Sequence, residues 1–338
     1  VKKIAIIGAG SCGTALAIAL ARSREPHRLS LWVHGADVLA GVRKLRQNSI
    51  YLPGIRIPEE IEVTGDLSEA LAEAEIVLGV MPSAHARTIY TAMLPHLNAT
   101  AAADAIFVSA TKGLEQDSLA RMSVMITEII GQKFAPRVAA LSGPSFALEV
   151  ARGDPTAVVI ASSDLQAAAE IQREFSSSTL RLYTNDDIVG VELGGAVKNV
   201  VALAAGVCAG LGLGANTIAA LITRGLSEMT RLAVALGGRG ETLAGLAGLG
   251  DLVLTATGAL SRNRSVGVEL GKGRRLPEIL SQMRMVAEGV ATASATMALA
   301  RKHKLDMPIT EQMYAILHEG RAPSAAIREL MERRLTRE

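Results

Sequence analysis

The sequence predicts an α/β fold: an N-terminal Rossmann-like part with a doubly wound, mostly parallel sheet, followed by an all-α C-terminal part. Three observations predict it. A glycine-spaced turn joins a short apolar run to a helix pattern at the start of the chain. Further apolar β runs, each ending in small or polar residues, recur as far as NDD at 185–187. No strand pattern returns beyond that point. At 338 residues the chain exceeds what one hydrophobic core usually serves. Two domains are therefore expected, a dinucleotide-binding one over 1–187 and a helical substrate and catalytic one over 188–338.

Composition narrows the function classes. Aromatic residues make up only 3% of the chain, too few for base-stacking platforms. A net charge of +2 without a Lys/Arg block disfavours a DNA-binding surface, so no nucleic-acid partner is expected. Cys12 and Cys208 cannot build a disulfide framework, which fits a reducing cytosol and a cytoplasmic location. The six histidines show no zinc-type spacing, and no metal is expected. Residues 1–21 imitate a signal peptide, but their glycines follow a binding-turn pattern. Residues 191–220 imitate a membrane span, but Lys198, Asn199 and repeated glycines interrupt them. Neither is expected to cross a membrane.

The elements follow in order. Residues 4–7, IAII, read as a strand, 8–13 as GAGSCG, and the next ten as an Ala/Leu-rich helix. In that context G-x-G-x-x-G is a dinucleotide turn. Gly8 permits the turn, Gly10 lets a pyrophosphate approach, Gly13 allows close helix–sheet packing, and the helix N-terminus faces the anion. Residues 29–33 form the next strand. An NAD-selective site would end it with an acid on the ribose hydroxyls. Here Val33-His34-Gly35 follows and no acid stands before Asp37. His34 tolerates a 2′-phosphate, so NADP(H) should be accepted, with or alongside NAD(H).

Residues 75–83 and 106–115 repeat the plan, and the second leaves Lys112 at the crevice edge beside Gly113. Residues 138–147 end another strand at Ser142-Gly143-Pro144-Ser145. There Pro144 suits a first helical position, Ser142 or Ser145 suits a cap, and uncrowded Gly143 suits a small anionic or hydroxylated ligand. Residues 157–161 and 180–183 are two more strands.

In the helical half, Lys198 is the only charged side chain between Glu192 and Arg224. Loss of water there disfavours its ammonium form and suits it to proton transfer near neutral pH. A lysine that snorkels to the surface is the plainer alternative. Lys198 also falls close to the expected domain junction, where ligand clefts tend to lie. Asp251 and Thr255 fall one helical turn apart, on one face of a helix, with an N-cap as the alternative role for Asp251. Ser261-Arg262-Asn263-Arg264-Ser265 gathers guanidinium, amide and hydroxyl groups at a helix start, good chemistry for a phosphate. A solvated basic turn is its alternative. The stretch 285–290, MVAEGV, adds packing and a cofactor contact through Glu288.

The words GAGSCGTALA, SATKGLE, SGPSFALE, GGAVKNVVALAAG, GLGDLVLT, SRNRSVG and VAEGV occur in that order between Gly8 and Val290. Together they resemble the bacterial-type NAD(P)-dependent glycerol-3-phosphate dehydrogenase family over nearly the whole chain. GAGSxGTA alone is shared by many dehydrogenases; GGAVKNV with AGLGDLVLT and SRNR is far more specific. The resemblance implies reversible hydride transfer between nicotinamide C4 and C2 of dihydroxyacetone phosphate or glycerol 3-phosphate, the latter feeding phospholipid synthesis. It makes Lys198 the general acid/base. It makes Lys112, Gly143, Ser145, Lys198, Asp251, Ser261, Arg262 and Asn263 substrate contacts. Ser11, Cys12, His34, Lys112, Ala147, Arg262, Val286 and Glu288 become cofactor contacts beside Gly8, Gly10 and Gly13. Cys12 departs from the aromatic residue usual in the family, which loosens side-chain packing on the cofactor but leaves the backbone role. On this reading Asp251 holds the lysine or a substrate hydroxyl, and the Arg262 cluster grips the phosphate.

Two rivals remain at this level. A related two-domain dehydrogenase of 3-hydroxyacids or ketoacids would share the fold and the lysine, though not the need for a phosphate grip. A non-catalytic nicotinamide sensor would bind cofactor without turnover. The sequence leaves the oligomeric state open, a homodimer included.

Overall fold

The computed structural model describes residues 1–97, 104–283 and 286–334. By contact density the chain divides into two compact units, Val1–Glu115 with Ala120–Glu192, and Gln116–Leu119 with Leu193–Glu338.

The first unit is built on an eight-stranded sheet among the described residues. In chain order it comprises β1 (Lys2–Ile7), α1 (Ser11–Leu20), β2 (His27–Trp32), α2 (Ala36–Leu45), β3 (Ile61–Thr64), α3 (Leu67–Leu71), β4 (Ile76–Gly79) and α4 (Ser83–Met93). Then come β5 (Ile106–Ser109), α5 (Met122–Ile130), β6 (Arg137–Ser142), α6 (Ala147–Arg152), β7 (Thr156–Ala161), α7 (Leu165–Phe175) and β8 (Leu180–Asn185). The strand order is β3-β2-β1-β4-β5-β6-β7-β8. All neighbours are parallel except β6 and β7, which pair antiparallel from Ala140↔Ala161 to Ser142↔Val159. The direction of winding reverses between β1 and β4, and sheets of this kind bind ligands beyond the strand ends at such a switch point.

The central strands are apolar because helices cover both faces. Ile4 and Ile6 point into one buried cluster, while Ala5 and Ile7 point into the other. The edge strand β3 escapes the sequence reading. Its four residues IEVT are buried only at the two ends, Ile61 and Thr64, too short and irregular a pattern to mark a strand. The predicted caps after β6 are corrected. Gly143 turns the chain at φ +131°, so α6 begins only at Ala147 behind Phe146, with no side-chain cap. Pro144 therefore starts no helix, and Ser145 bonds to Gly143 O instead, at 3.0 Å.

Asp187 ends the strand region and starts the helices: its Oδ1 accepts from Gly190 N at 2.8 Å, capping α8 (Ile188–Gly210). There follow α9 (Ala215–Ala235), α10 (Gly240–Leu243), a π turn (Leu246–Gly250), α11 (Asp251–Thr257) and α12 (Arg262–Gly271). The chain continues through α13 (Leu276–Ser281), α14 (Glu288–Lys302), α15 (Pro308–His318) and α16 (Pro323–Met331). By length and composition α8 could cross a membrane, yet 83% of its apolar window is buried inside the protein, so it is a core helix. Its glycines let neighbouring backbones touch it. A Cβ at Gly206 would lie 2.1 Å from Arg264 O, and one at Gly267 of α12 would lie 2.0 Å from Leu203 O. That contact fixes α12, with its polar first turn, against α8.

Candidate active site

In the first unit the glycine turn has the geometry its spacing predicts. Gly8 adopts φ +118°, and a Cβ there would lie 2.2 Å from Val80 O, at the end of the neighbouring strand. A Cβ at Gly13 would meet Gly8 O at 1.8 Å, so helix and turn pack without room for a side chain. A Cβ at Gly10 would meet nothing within 4 Å, and α1 carries no side-chain cap. An open glycine before an uncapped helix N-terminus fits a pyrophosphate, so the residues present suit a nicotinamide dinucleotide. Ser11 and half-buried Cys12 are the first residues of α1.

Beyond β2, His34 is exposed and sits beside Trp32, with ring centroids 5.4 Å apart and the planes tilted by 47°. Asp37 lies in the first turn of α2 rather than at the strand end. Lys112, three residues after β5, donates to Gly143 O at 2.7 Å and to Ser145 Oγ at 3.4 Å. The loops after β5 and β6 thus bring together three residues that the sequence nominated separately. Thr111 Oγ1 donates to Met81 O at 2.8 Å and ties in the loop after β4. Ala147 opens α6.

In the second unit Lys198 is 5% exposed, which excludes the snorkelling alternative. Its Nζ donates to Asp251 Oδ1 at 2.5 Å and to Thr255 Oγ1 at 2.7 Å. Thr255 Oγ1 in turn donates to the carbonyl of Asp251 at 2.6 Å. Asp251 and Thr255 do share a face of α11, and Gly250 rather than Asp251 holds its N-cap position. The sequence around Lys198 suggests desolvation as the ruling influence; the carboxylate opposes it and favours the ammonium. A buried amine held by a carboxylate and a hydroxyl of α11 results.

At the next residue of α8, Asn199 Oδ1 accepts from Asn263 Nδ2 at 2.8 Å, and Asn263 Oδ1 accepts from Gly289 N at 2.9 Å. This chain of amides ties α8, α12 and the start of α14 together. Ser261 caps α12 by accepting from Arg264 N at 3.2 Å. Arg262 is half-buried and donates to Val286 O at 3.0 Å, which draws the Arg262 and Val286 positions together, with Glu288 beginning α14. Met285, at the head of that sequence word, lies outside the described residues. Sequence reading missed two polar residues at these sites: Asn199, as the partner of Asn263, and Asn48, buried against the glycine turn. Asn48 sits in an ordinary polar loop, and its partners are distant in sequence, so no local pattern marks it. Among the described residues no cluster of His, Cys, Asp and Glu is arranged to hold a metal.

The sequence pattern described as NAD-dependent glycerol-3-phosphate dehydrogenase N-terminus matches residues 3–168, and the corresponding C-terminus pattern matches 187–328. Among curated relatives, glycerol-3-phosphate dehydrogenase (NAD(P)+) of Koribacter versatilis is 58% identical, covering 99% of this chain and 98% of its own. That of Citrifermentans bemidjiense is 51% identical, over 100% and 99%. The crystal structure of glycerol-3-phosphate dehydrogenase from Coxiella burnetii superposes with a TM-score of 0.92 at 42% identity, covering 98% of this chain and 99% of that one. D-Mandelate dehydrogenase, at 12% identity and a TM-score of 0.62, shares the fold alone. With both patterns matched in chain order and relatives aligned end to end, this chain belongs to the NAD-dependent glycerol-3-phosphate dehydrogenase family.

Proposed function

We propose that residues 1–187 bind the dinucleotide and residues 188–338 bind substrate and supply the proton. The chain is an oxidoreductase with the NAD(P)-dependent glycerol-3-phosphate dehydrogenase activity of its family. The observation that carries the proposal is the Lys198 amine, buried in an apolar helix and held by Asp251 and Thr255.

When bound, NAD(P)H supplies the hydride that reduces dihydroxyacetone phosphate, and NAD(P)+ accepts it in reverse. Lys198 stabilises the alkoxide that develops on the former ketone oxygen and donates the proton that completes glycerol 3-phosphate. In the oxidising direction the same amine takes the proton back. Asp251 and Thr255 fix the direction of Nζ, so little reorganisation is needed during reaction. Lys112, held beside Gly143 and Ser145, adds positive potential for the substrate oxygens. Arg262 grips the phosphate through its planar fork, with Ser261 and Asn263 beside it, and this remote binding orients the reacting carbon. Gly10, Ser11 and Cys12 receive the pyrophosphate, while Gly8 and Gly13 shape the turn that presents them. His34, Ala147, Val286 and Glu288 contact the rest of the dinucleotide.

Glycerol 3-phosphate for phospholipid synthesis is the product in a cytoplasmic setting, and a homodimer is the assembly to check by light scattering. The function is tested by oxidation of NADPH and of NADH with dihydroxyacetone phosphate, with unphosphorylated dihydroxyacetone as control. Turnover should require the phosphorylated ketone and proceed with NADPH. A strict preference for NADH would overturn the reading of His34, and equal rates with dihydroxyacetone would overturn the phosphate grip.

A further inference from the structure

Asn48 follows α2 in a loop, yet its side chain is among the most enclosed polar groups of the first unit, with the residue 1% exposed. Its Nδ2 donates to Ala9 O at 2.8 Å and to Thr14 Oγ1 at 2.9 Å, while its Oδ1 accepts from Tyr51 N at 3.1 Å. The carboxamide therefore spends both donor hydrogens and an acceptor site on three separate segments. Two of these, Ala9 and Thr14, belong to the glycine turn and the first turns of α1.

We infer that Asn48 is a positioning residue for the dinucleotide: by pinning the Ala9 carbonyl it sets the direction of the Gly10 N–H. The Ala9–Gly10 peptide is trans and planar, so its C=O and N–H point in opposite directions. With the carbonyl turned toward Asn48, the amide hydrogen of Gly10 points away from it. Gly10 is also the residue whose missing Cβ leaves open space. The same absence makes rotation of this peptide easy, because glycine tolerates conformations closed to other residues. A rotated peptide would present a carbonyl oxygen where an anion should lie. Asn48 thus supplies from a neighbouring loop the rigidity that the glycines remove, and Thr14, whose N donates to Gly10 O at 3.0 Å, braces the same turn from the helix side.

This inference rests on the reading of residues 8–13 as the dinucleotide turn. The experiment titrates NADPH fluorescence on the purified full chain and on three variants, with Tm and steady-state constants measured beside it. Asn48→Asp keeps the size and the acceptor for Tyr51 N but loses the donor to Ala9 O. Its Kd for NADPH should rise roughly tenfold, the loss of about one hydrogen bond. Its KM for dihydroxyacetone phosphate at saturating NADPH should stay within about twofold of the parent value. Asn48→Ala gives the same readout should the aspartate variant fail to fold. Gly10→Val, which fills the open space, should abolish NADPH binding. Normal binding by Gly10→Val would remove the cofactor reading itself. Lost binding in Gly10→Val with unchanged Kd in both Asn48 variants would overturn the inference alone. A parallel change of Kd, KM and Tm would also overturn it, because that marks a merely structural residue.

Discussion

Lys198 Nζ and Asp251 Oδ1 stand 2.5 Å apart, on α8 and α11, although 53 positions separate them in the chain. Both residues are almost wholly enclosed, with Asp251 at 1% exposure. Burying two charges is costly, and what compensates is close pairing with further hydrogen bonds, here from Thr255.

Asp251→Asn keeps the shape and an acceptor oxygen but removes the charge opposite the amine. The amine then loses part of its orientation and of its stabilising field. We expect kcat to fall about tenfold to a hundredfold, in the range of a lost charge-assisted hydrogen bond. A kcat within about twofold of the parent enzyme would show that the carboxylate plays no part in turnover.

Arg262→Ala removes the fork that the proposal assigns to the phosphate. The KM for dihydroxyacetone phosphate should rise by roughly one to two orders of magnitude, matching a hydrogen bond to a charged group. The Tm should hardly move, since the guanidinium is only half-buried and its resolved partner is the Val286 carbonyl. An unchanged KM would rule out a major phosphate-binding role.

Much of the account is legible before the structure because its signals are local. The glycine spacing, the apolar strands and the isolation of Lys198 between Glu192 and Arg224 are each visible in one continuous stretch of sequence. Asp251 and Thr255 show themselves as a helical pair, but nothing local shows that they meet Lys198. That contact depends on how α11 lies against α8, which is set in part by close backbone approaches such as Gly194 to Ala247. The antiparallel step from β6 to β7 is hidden for a similar reason, since strand direction depends on the path of the connection rather than on side-chain pattern. Asn48 and Asn199 are ordinary polar residues until distant segments fold onto them.

A carboxylate outside the proposed chemistry makes a separate prediction. Glu228 on α9 is 1% exposed and accepts from Ile309 N at 2.6 Å, from Thr310 N at 3.1 Å and from Thr310 Oγ1 at 3.0 Å. It caps α15, whose own N-cap residue, Met307, offers no side-chain bond. Burial pushes its pKa up from 4.5 to about 7, against these hydrogen bonds and the nearby Arg231. The folded carboxyl therefore holds its proton more tightly than the unfolded one. Its contribution to stability is complete below the unfolded value of 4.5 and is lost as pH rises through about 7. Thermal melts between about pH 5 and 8 should show this fall in the parent chain and a flatter profile in Glu228→Gln. Identical slopes in the two proteins would contradict it.

The most direct test of the central claim is the kcat of Lys198→Ala at saturating dihydroxyacetone phosphate, with NADPH binding and Tm measured on the same sample. The account predicts that NADPH still binds while kcat falls by about two to four orders of magnitude, the range expected when a general acid is removed. A near-normal kcat in the folded variant would take Lys198 out of the mechanism and contradict the account.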